Sequence, residues 1–153
     1  MQSSIRILFV AIVVLFSVDA FACGDSMYRV GKGVSYRIYT APLPGNVLVY
    51  GQSDSAKQLA DALAQSGHGV RLVKDEADLE SELSTGAYDI VIASYDEHDK
   101  VEASASRTTY LPVVPTRDEA TLAEDNYSQV MVADRDEIKH YLKAIHKTLK
   151  SRS

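Results

Sequence analysis

The chain holds a single cysteine, Cys23, and no tryptophan. One cysteine cannot close a disulfide within the chain, and it cannot build a cysteine zinc site or a Cys-x-x-Cys redox pair. Only an intermolecular disulfide through Cys23 stays open. Cations are the minority charge: 16 Lys and Arg face 21 Asp and Glu, for a net charge of −5. That balance argues against general nucleic-acid binding, which needs a basic face to meet phosphates. Internal repeats and low-complexity tracts are also missing. What remains has the length of one domain, enough to bury about two-thirds of its unfolded surface without staples.

One long apolar run stands out. Residues 7–16 are uninterrupted by charge, Arg6 precedes them, and Ala20-Phe21-Ala22 puts small residues where a signal peptidase reads. The run is too short for a bilayer core, which takes about 20 helical residues. Residues 1–22 are therefore expected to be a secretory signal peptide, the other reading being a retained N-terminal anchor. Export would place the protein in the periplasm. Cleavage would leave Cys23 at or near the new terminus, as a lipid-bearing cysteine or as a free thiol. Ala20 and Phe21 stand where a lipoprotein box has Leu and a small residue. Contact with a membrane is expected only if Cys23 is lipidated or the signal is retained.

Residues 23–45 differ from the rest. Arg29, Lys32 and Arg37 oppose only Asp25, a local charge of +2 that leaves the remaining domain at −7. Tyr28 and Val30, then Val34, Tyr36 and Ile38, alternate with polar neighbours around Gly31-Lys32-Gly33. A period of two about a glycine-flanked turn predicts a β-hairpin. An isolated hairpin is marginal in water, so this one is expected to dock. Tyr28, Arg29, Lys32, Tyr36 and Arg37 are candidates for a partner-binding surface, because Tyr and Arg are enriched at interfaces. The alternative is a segment that covers one edge of the main sheet. Pro42-Leu43-Pro44-Gly45 then forms a stiff break.

Residues 46–153 read as an α/β domain. Val47–Tyr50 is almost wholly apolar, as a strand covered on both faces should be. Ser53 or Asp54 can cap a helix whose Ala56, Leu59, Ala60 and Leu63 form one stripe, with Gly67 as its stop. A second strand covers residues 70–73. Asp75 opens a helix bearing Leu79 and Leu83 that ends at Gly86, and residues 90–93 form a buried third strand. Residues 98–107 are expected to be a short helix anchored by Val101. Residues 110–114 read as a strand that Pro112 pushes toward an edge or an irregular start. Thr116 and Glu119 have capping-box spacing for a short helix through Leu122. Residues 129–132 form the last expected strand. Asp134 and Glu137 start a final helix striped by Ile138, Tyr141, Leu142, Ile145 and Leu149. Short connections between alternating elements require parallel strands, and a doubly wound sheet in the flavodoxin-like order 2-1-3-4-5 is the simplest arrangement.

Three stretches carry a resemblance: Val47-Leu48-Val49-Tyr50, Ser66-Gly67-His68-Gly69-Val70, and Tyr88-Asp89-Ile90-Val91-Ile92-Ala93-Ser94. Together they resemble the receiver domain of bacterial response regulators over residues 46–150. That resemblance implies a Mg²⁺ site of acidic residues after the first strand, where Gly51 and Gln52 stand here. It implies a phosphorylated Asp ending the third strand, where Ser94 stands; Asp96 would serve only with a two-residue slip. The Ser or Thr of the fourth strand matches Thr116. The Lys of the fifth falls at Ala133 or Asp134. Without carboxylates a hard cation has no oxygen cage and a phosphoryl group has no acceptor. The resemblance therefore implies an exported pseudo-receiver: the scaffold without the reaction and without a cofactor.

Asp96, Glu97, His98 and Asp99 are the remaining metal-ligand candidates, since mixed oxygen and imidazole ligands suit a divalent cation. With Asp54, Asp118, Asp134 and Asp136 they fall at the edge where open α/β sheets bind ligands. The plainer reading has each acid capping a helix start or solvating a surface. His68, His140 and His146 lack partners at ligand spacing and read as surface or satisfied residues. No Gly-x-Ser-x-Gly elbow activates a serine. The expected function is non-enzymatic binding to another envelope protein. Its competitors are a small-ligand or divalent-metal protein using the acidic edge, and a phosphoryl-accepting receiver using Asp96.

Overall fold

A computed structural model describes residues 41–153. The expected signal peptide, Cys23, and the expected hairpin with Tyr28, Arg29, Lys32, Tyr36 and Arg37 lie outside the described residues. Eleven elements follow one another: β1 (Asn46–Tyr50), α1 (Asp54–Gln65), β2 (Gly69–Val73), α2 (Glu76–Ser84), β3 (Ile90–Ser94), a 3-10 turn (Tyr95–Glu97), α3 (His98–Ser104), β4 (Thr109–Val114), α4 (Arg117–Glu124), β5 (Met131–Val132) and α5 (Ile138–Arg152). The five strands form one parallel sheet in the order β2-β1-β3-β4-β5. This is the flavodoxin-like order expected.

Side-chain alternation sorts the sheet into two layers. Val47, Val49, Ile90, Ile92, Leu111 and Val113 face α1 and α5, where Leu59, Leu63, Tyr141 and Ile145 meet them. Leu48, Val91 and Ala93 face the other way, onto Leu79 and Leu83 of α2 and Val101 of α3. A third cluster joins Val114 and Val132 to Ala120 and Ala123 of α4. Every residue of β3 is buried, which follows from covering a central strand on both faces. Each fully buried Leu or Ile in these layers stabilises the fold by about 1.5–3 kcal/mol.

Local signals act where the sequence placed them. The Ser53 hydroxyl accepts the Ala56 N–H at 3.1 Å and Asp75 Oδ1 accepts the Asp78 N–H at 2.9 Å, each holding an amide the new helix leaves unbonded. Gly67 closes α1 at φ +98°, a left-handed conformation that a Cβ would oppose. The apolar stripe of α5 is as expected, with Tyr141 and Ile145 fully buried and Ile138, Leu142 and Leu149 packed beside them.

Four expectations need correction. β4 is an edge only through Pro112 and not as a whole: it pairs with β3 from Thr109 to Val113 and with β5 only from Val113 onward. Proline is tolerated there for a directional reason. The Thr109 N–H donates to the Asp89 carbonyl on the β3 side, and the Val114 carbonyl accepts the Ala133 N–H on the β5 side. Alternation along the strand turns Pro112 toward β5, where pairing starts only one residue later, so its missing N–H meets no partner strand. The last strand is correspondingly shorter than residues 129–132, at Met131–Val132.

The helix expected over residues 98–107 stops at Ser104 and is preceded by the 3-10 turn, because the Ser94 hydroxyl accepts the Asp96 N–H and tightens the chain there. Thr116 is the N-cap of α4, yet its hydroxyl donates to the Glu119 carboxylate at 3.1 Å and caps no backbone amide. At α5 the cap is Glu137, in a capping box with His140, whose Nδ1 accepts the Glu137 N–H at 3.0 Å.

Candidate functional site

The chain crosses from β2, on one side of β1, to β3 on the other. Between the C-terminal ends of β1 and β3 the sheet therefore has its topological switch point, the usual ligand crevice of such folds. Gly51 and Gln52 leave β1 here. The Gly51 N–H donates to the Val73 carbonyl at 3.0 Å, and Gln52 Nε2 donates to the Lys74 carbonyl at 3.0 Å. Both tie the β1 loop to the end of β2. Ser94 ends β3 buried, at 8% exposure, with its hydroxyl accepting from Asp96 and its carbonyl accepting the Tyr110 hydroxyl at 2.6 Å. Ala133 is fully buried after β5. These strand ends are thus occupied by backbone ties, a buried cap and a methyl group.

Beyond Asp96, the acidic stretch after β3 is drawn into pairs. Lys100 Nζ lies 2.7 Å from Glu97 and 3.6 Å from Glu76, joining α3 to the start of α2. The hydrogen bond to Glu97 holds the Lys100 ammonium above its ordinary pKa. Tyr50 sits within the same field: burial first, then the Glu97 charge, push its hydroxyl pKa up. His98 Nδ1 donates to the Tyr95 carbonyl at 2.9 Å, and Nε2 lies 3.2 Å from the exposed Asp99. Asp136 is elsewhere and nearly inaccessible: it accepts the Val132 N–H at 2.8 Å and two hydrogen bonds from Arg135. Among the described residues, no three His, Cys, Asp or Glu side chains gather as a metal site.

The histidines differ from one another. His68 is buried, and its Nδ1 accepts the Gly45 N–H at 3.2 Å; burial holds this imidazole below its ordinary pKa. His140 belongs to the α5 capping box. His146 fits neither the surface nor the satisfied expectation, being half-buried with Nδ1 enclosed and without a hydrogen-bond partner.

No family model, curated protein or solved structure matches this chain. Its own geometry must carry the reading.

That geometry includes a feature no sequence pattern announces. His98 stacks on Tyr95 at 5.0 Å, Tyr95 meets Tyr127 edge to face at 6.1 Å, and Tyr127 meets Tyr110 edge to face at 5.2 Å. The row leads from the acidic stretch to a notch of about 330 Å³ beside the first half of β4. Tyr127 also donates to Glu102, so that burial, then this hydrogen bond, raise its pKa far above the ordinary value. Four residues spread from position 95 to 127 form no motif. The only signal was the excess of tyrosine, nine against three phenylalanines. No described helix is long and apolar enough to cross a membrane.

Proposed function

We propose that the protein is a non-enzymatic pseudo-receiver, exported to the cell envelope, that works by binding another protein. The observation that carries this reading is what occupies the C-terminal strand ends, at the switch point between β1 and β3 and after β5. Gly51 and Gln52 are tied to the end of β2, Ser94 is a buried cap, and Ala133 is apolar. Phosphoryl transfer by a receiver depends on carboxylates that hold Mg²⁺ and accept the phosphoryl group, and these four positions supply none. Glu97, the acid best enclosed nearby, is engaged by Lys100 at 2.7 Å. The apolar run of residues 7–16 supports export, and the basic segment with Arg29, Lys32 and Arg37 supplies a candidate docking surface.

Acetyl phosphate with Mg²⁺, followed by intact-mass measurement, tests the loss of the reaction. The expected mass is that of the untreated chain. One added phosphoryl group that disappears in an Asp96→Asn variant would replace this reading with that of a working receiver.

A further inference from the structure

We propose that the notch beside β4 is a binding site for a small neutral polyhydroxylated molecule of monosaccharide size. This rests on residues other than Gly51, Gln52, Ser94 and Ala133 and does not depend on the pseudo-receiver reading. The notch exists because β5 is only two residues long: upstream of Met131 the chain swings away from β4 and leaves a gap between α3 and α5. Pro112 keeps the gap open, since it offers no N–H with which β5 could extend its pairing.

The lining selects among ligands. At about 330 Å³ the volume lies at the small end of the range for ligand pockets. No Lys, Arg or His lines it, and one carboxylate, Glu102, does. Phosphates, carboxylic acids and nucleotides therefore find no counter-charge. Most of the remaining lining carries hydroxyl or amide groups, such as Thr109, Asn126, Ser128 and Gln129, so a purely apolar ligand would strand them without partners.

A hydroxyl both donates and accepts, and the wall offers both. Gln129 Nε2 donates one hydrogen to Thr148 Oγ1 at 2.9 Å, which leaves its second amide hydrogen and its carbonyl oxygen for a ligand. Glu102 receives the Tyr127 hydroxyl on Oε1, and its Oε2 can accept a ligand hydroxyl. Tyr110 and Tyr127, set nearly perpendicular at 84°, form an aromatic corner of the lining, and a ring face left open there attracts C–H groups polarised by neighbouring oxygens.

The test is an amide-resolved NMR titration of the isolated full chain with D-glucose, D-galactose and N-acetyl-D-glucosamine, each into the millimolar range. Inorganic phosphate and ethylammonium serve as comparison probes. Saturable shifts of the Thr109, Ser128 and Gln129 amides with at least one sugar are expected. Gln129→Ala should weaken that binding about five-fold, the worth of one lost hydrogen bond. Thr148→Val, which keeps the side-chain shape, gives a second reading if the first variant fails to fold. Shifts with no sugar of the panel, shifts confined to other parts of the chain, or tighter binding of ethylammonium than of any sugar would overturn the proposal.

Discussion

At the scale of single residues, Asp136 pins the end of β5. Its side chain is 4% exposed, its oxygens hold the Val132 N–H at the end of β5, and Arg135 clamps it from the surface side. Burial alone would raise its pKa; the Arg135 and Val132 hydrogen bonds, with the charges of Arg135 and His140, outweigh it and leave the carboxyl below its ordinary value. A carboxyl depressed in the folded state stabilises above its ordinary pKa of 3.8, and that stability is lost as pH falls through the folded value. Asp136→Ala should cost about 3 kcal/mol in urea unfolding at pH 7, because the Val132 N–H loses its partner. Asp136→Asn should cost less and should flatten the loss of stability below about pH 4. An unaltered acid limb in that variant would show that other carboxylates set it.

His68 works on a different limb. The Gly45 N–H needs an unprotonated Nδ1, and burial favours the neutral ring. Its stabilising effect is therefore complete above the ordinary value of 6.5 and declines as pH falls from there toward the lower folded value. Melting temperatures at about pH 7.5 and 5.5, on either side of the ordinary imidazole value, should differ more in the wild type than in His68→Gln. Equal differences would assign the sensitivity to another group.

At the scale of elements, the helix ends separate local from distant causes. Gly67 adopts φ +98°, and a Cβ added there would find nothing within 4 Å, so an added methyl would meet backbone strain and no clash. Gly67→Ala should lower stability by about 1 kcal/mol in a urea melt, through that strain alone. A neutral result would mean that the turn relaxes to another conformation. Such positions were legible because their causes lie within a few residues: the Ser53 cap, the Leu59 and Leu63 stripe, the Gly67 and Gly86 stops. Pro112 marks an edge that is only local, because how far the edge extends depends on where β5 begins, nearly twenty positions further on. The Thr116–Glu119 spacing was legible, whereas the choice of the hydroxyl to bond the carboxylate was not, since it depends on side-chain rotamers.

At the scale of the whole molecule, the alternation of elements and the short connections require parallel strands, and the order expected as the simplest, 2-1-3-4-5, is the one found. The strand ends were equally readable: Gly51 and Gln52 follow β1 and Ser94 ends β3 at the switch point, and Ala133 follows β5 at the sheet's edge. The tyrosine row and the notch were not. Tyr95, Tyr110 and Tyr127 meet only after β3, β4 and the approach to β5 are packed, and no spacing rule joins them. The molecule that results has a quiet switch point, paired acids on α2 and α3, and a polar notch at the far end of β4. Its acidic domain follows a basic segment that carries Arg29, Lys32 and Arg37. Under the proposed binding role, that segment is the candidate docking surface.

Crosslinking in the native cell envelope tests this most directly, using the full chain beside an Arg29→Ala, Lys32→Ala, Arg37→Ala variant. Capture of one discrete protein by the wild type, lost in the variant while the variant's thermal unfolding is unchanged, is the expected result. Capture of the same protein at the same yield by both chains, or of none by either, would contradict a docking role for the basic segment.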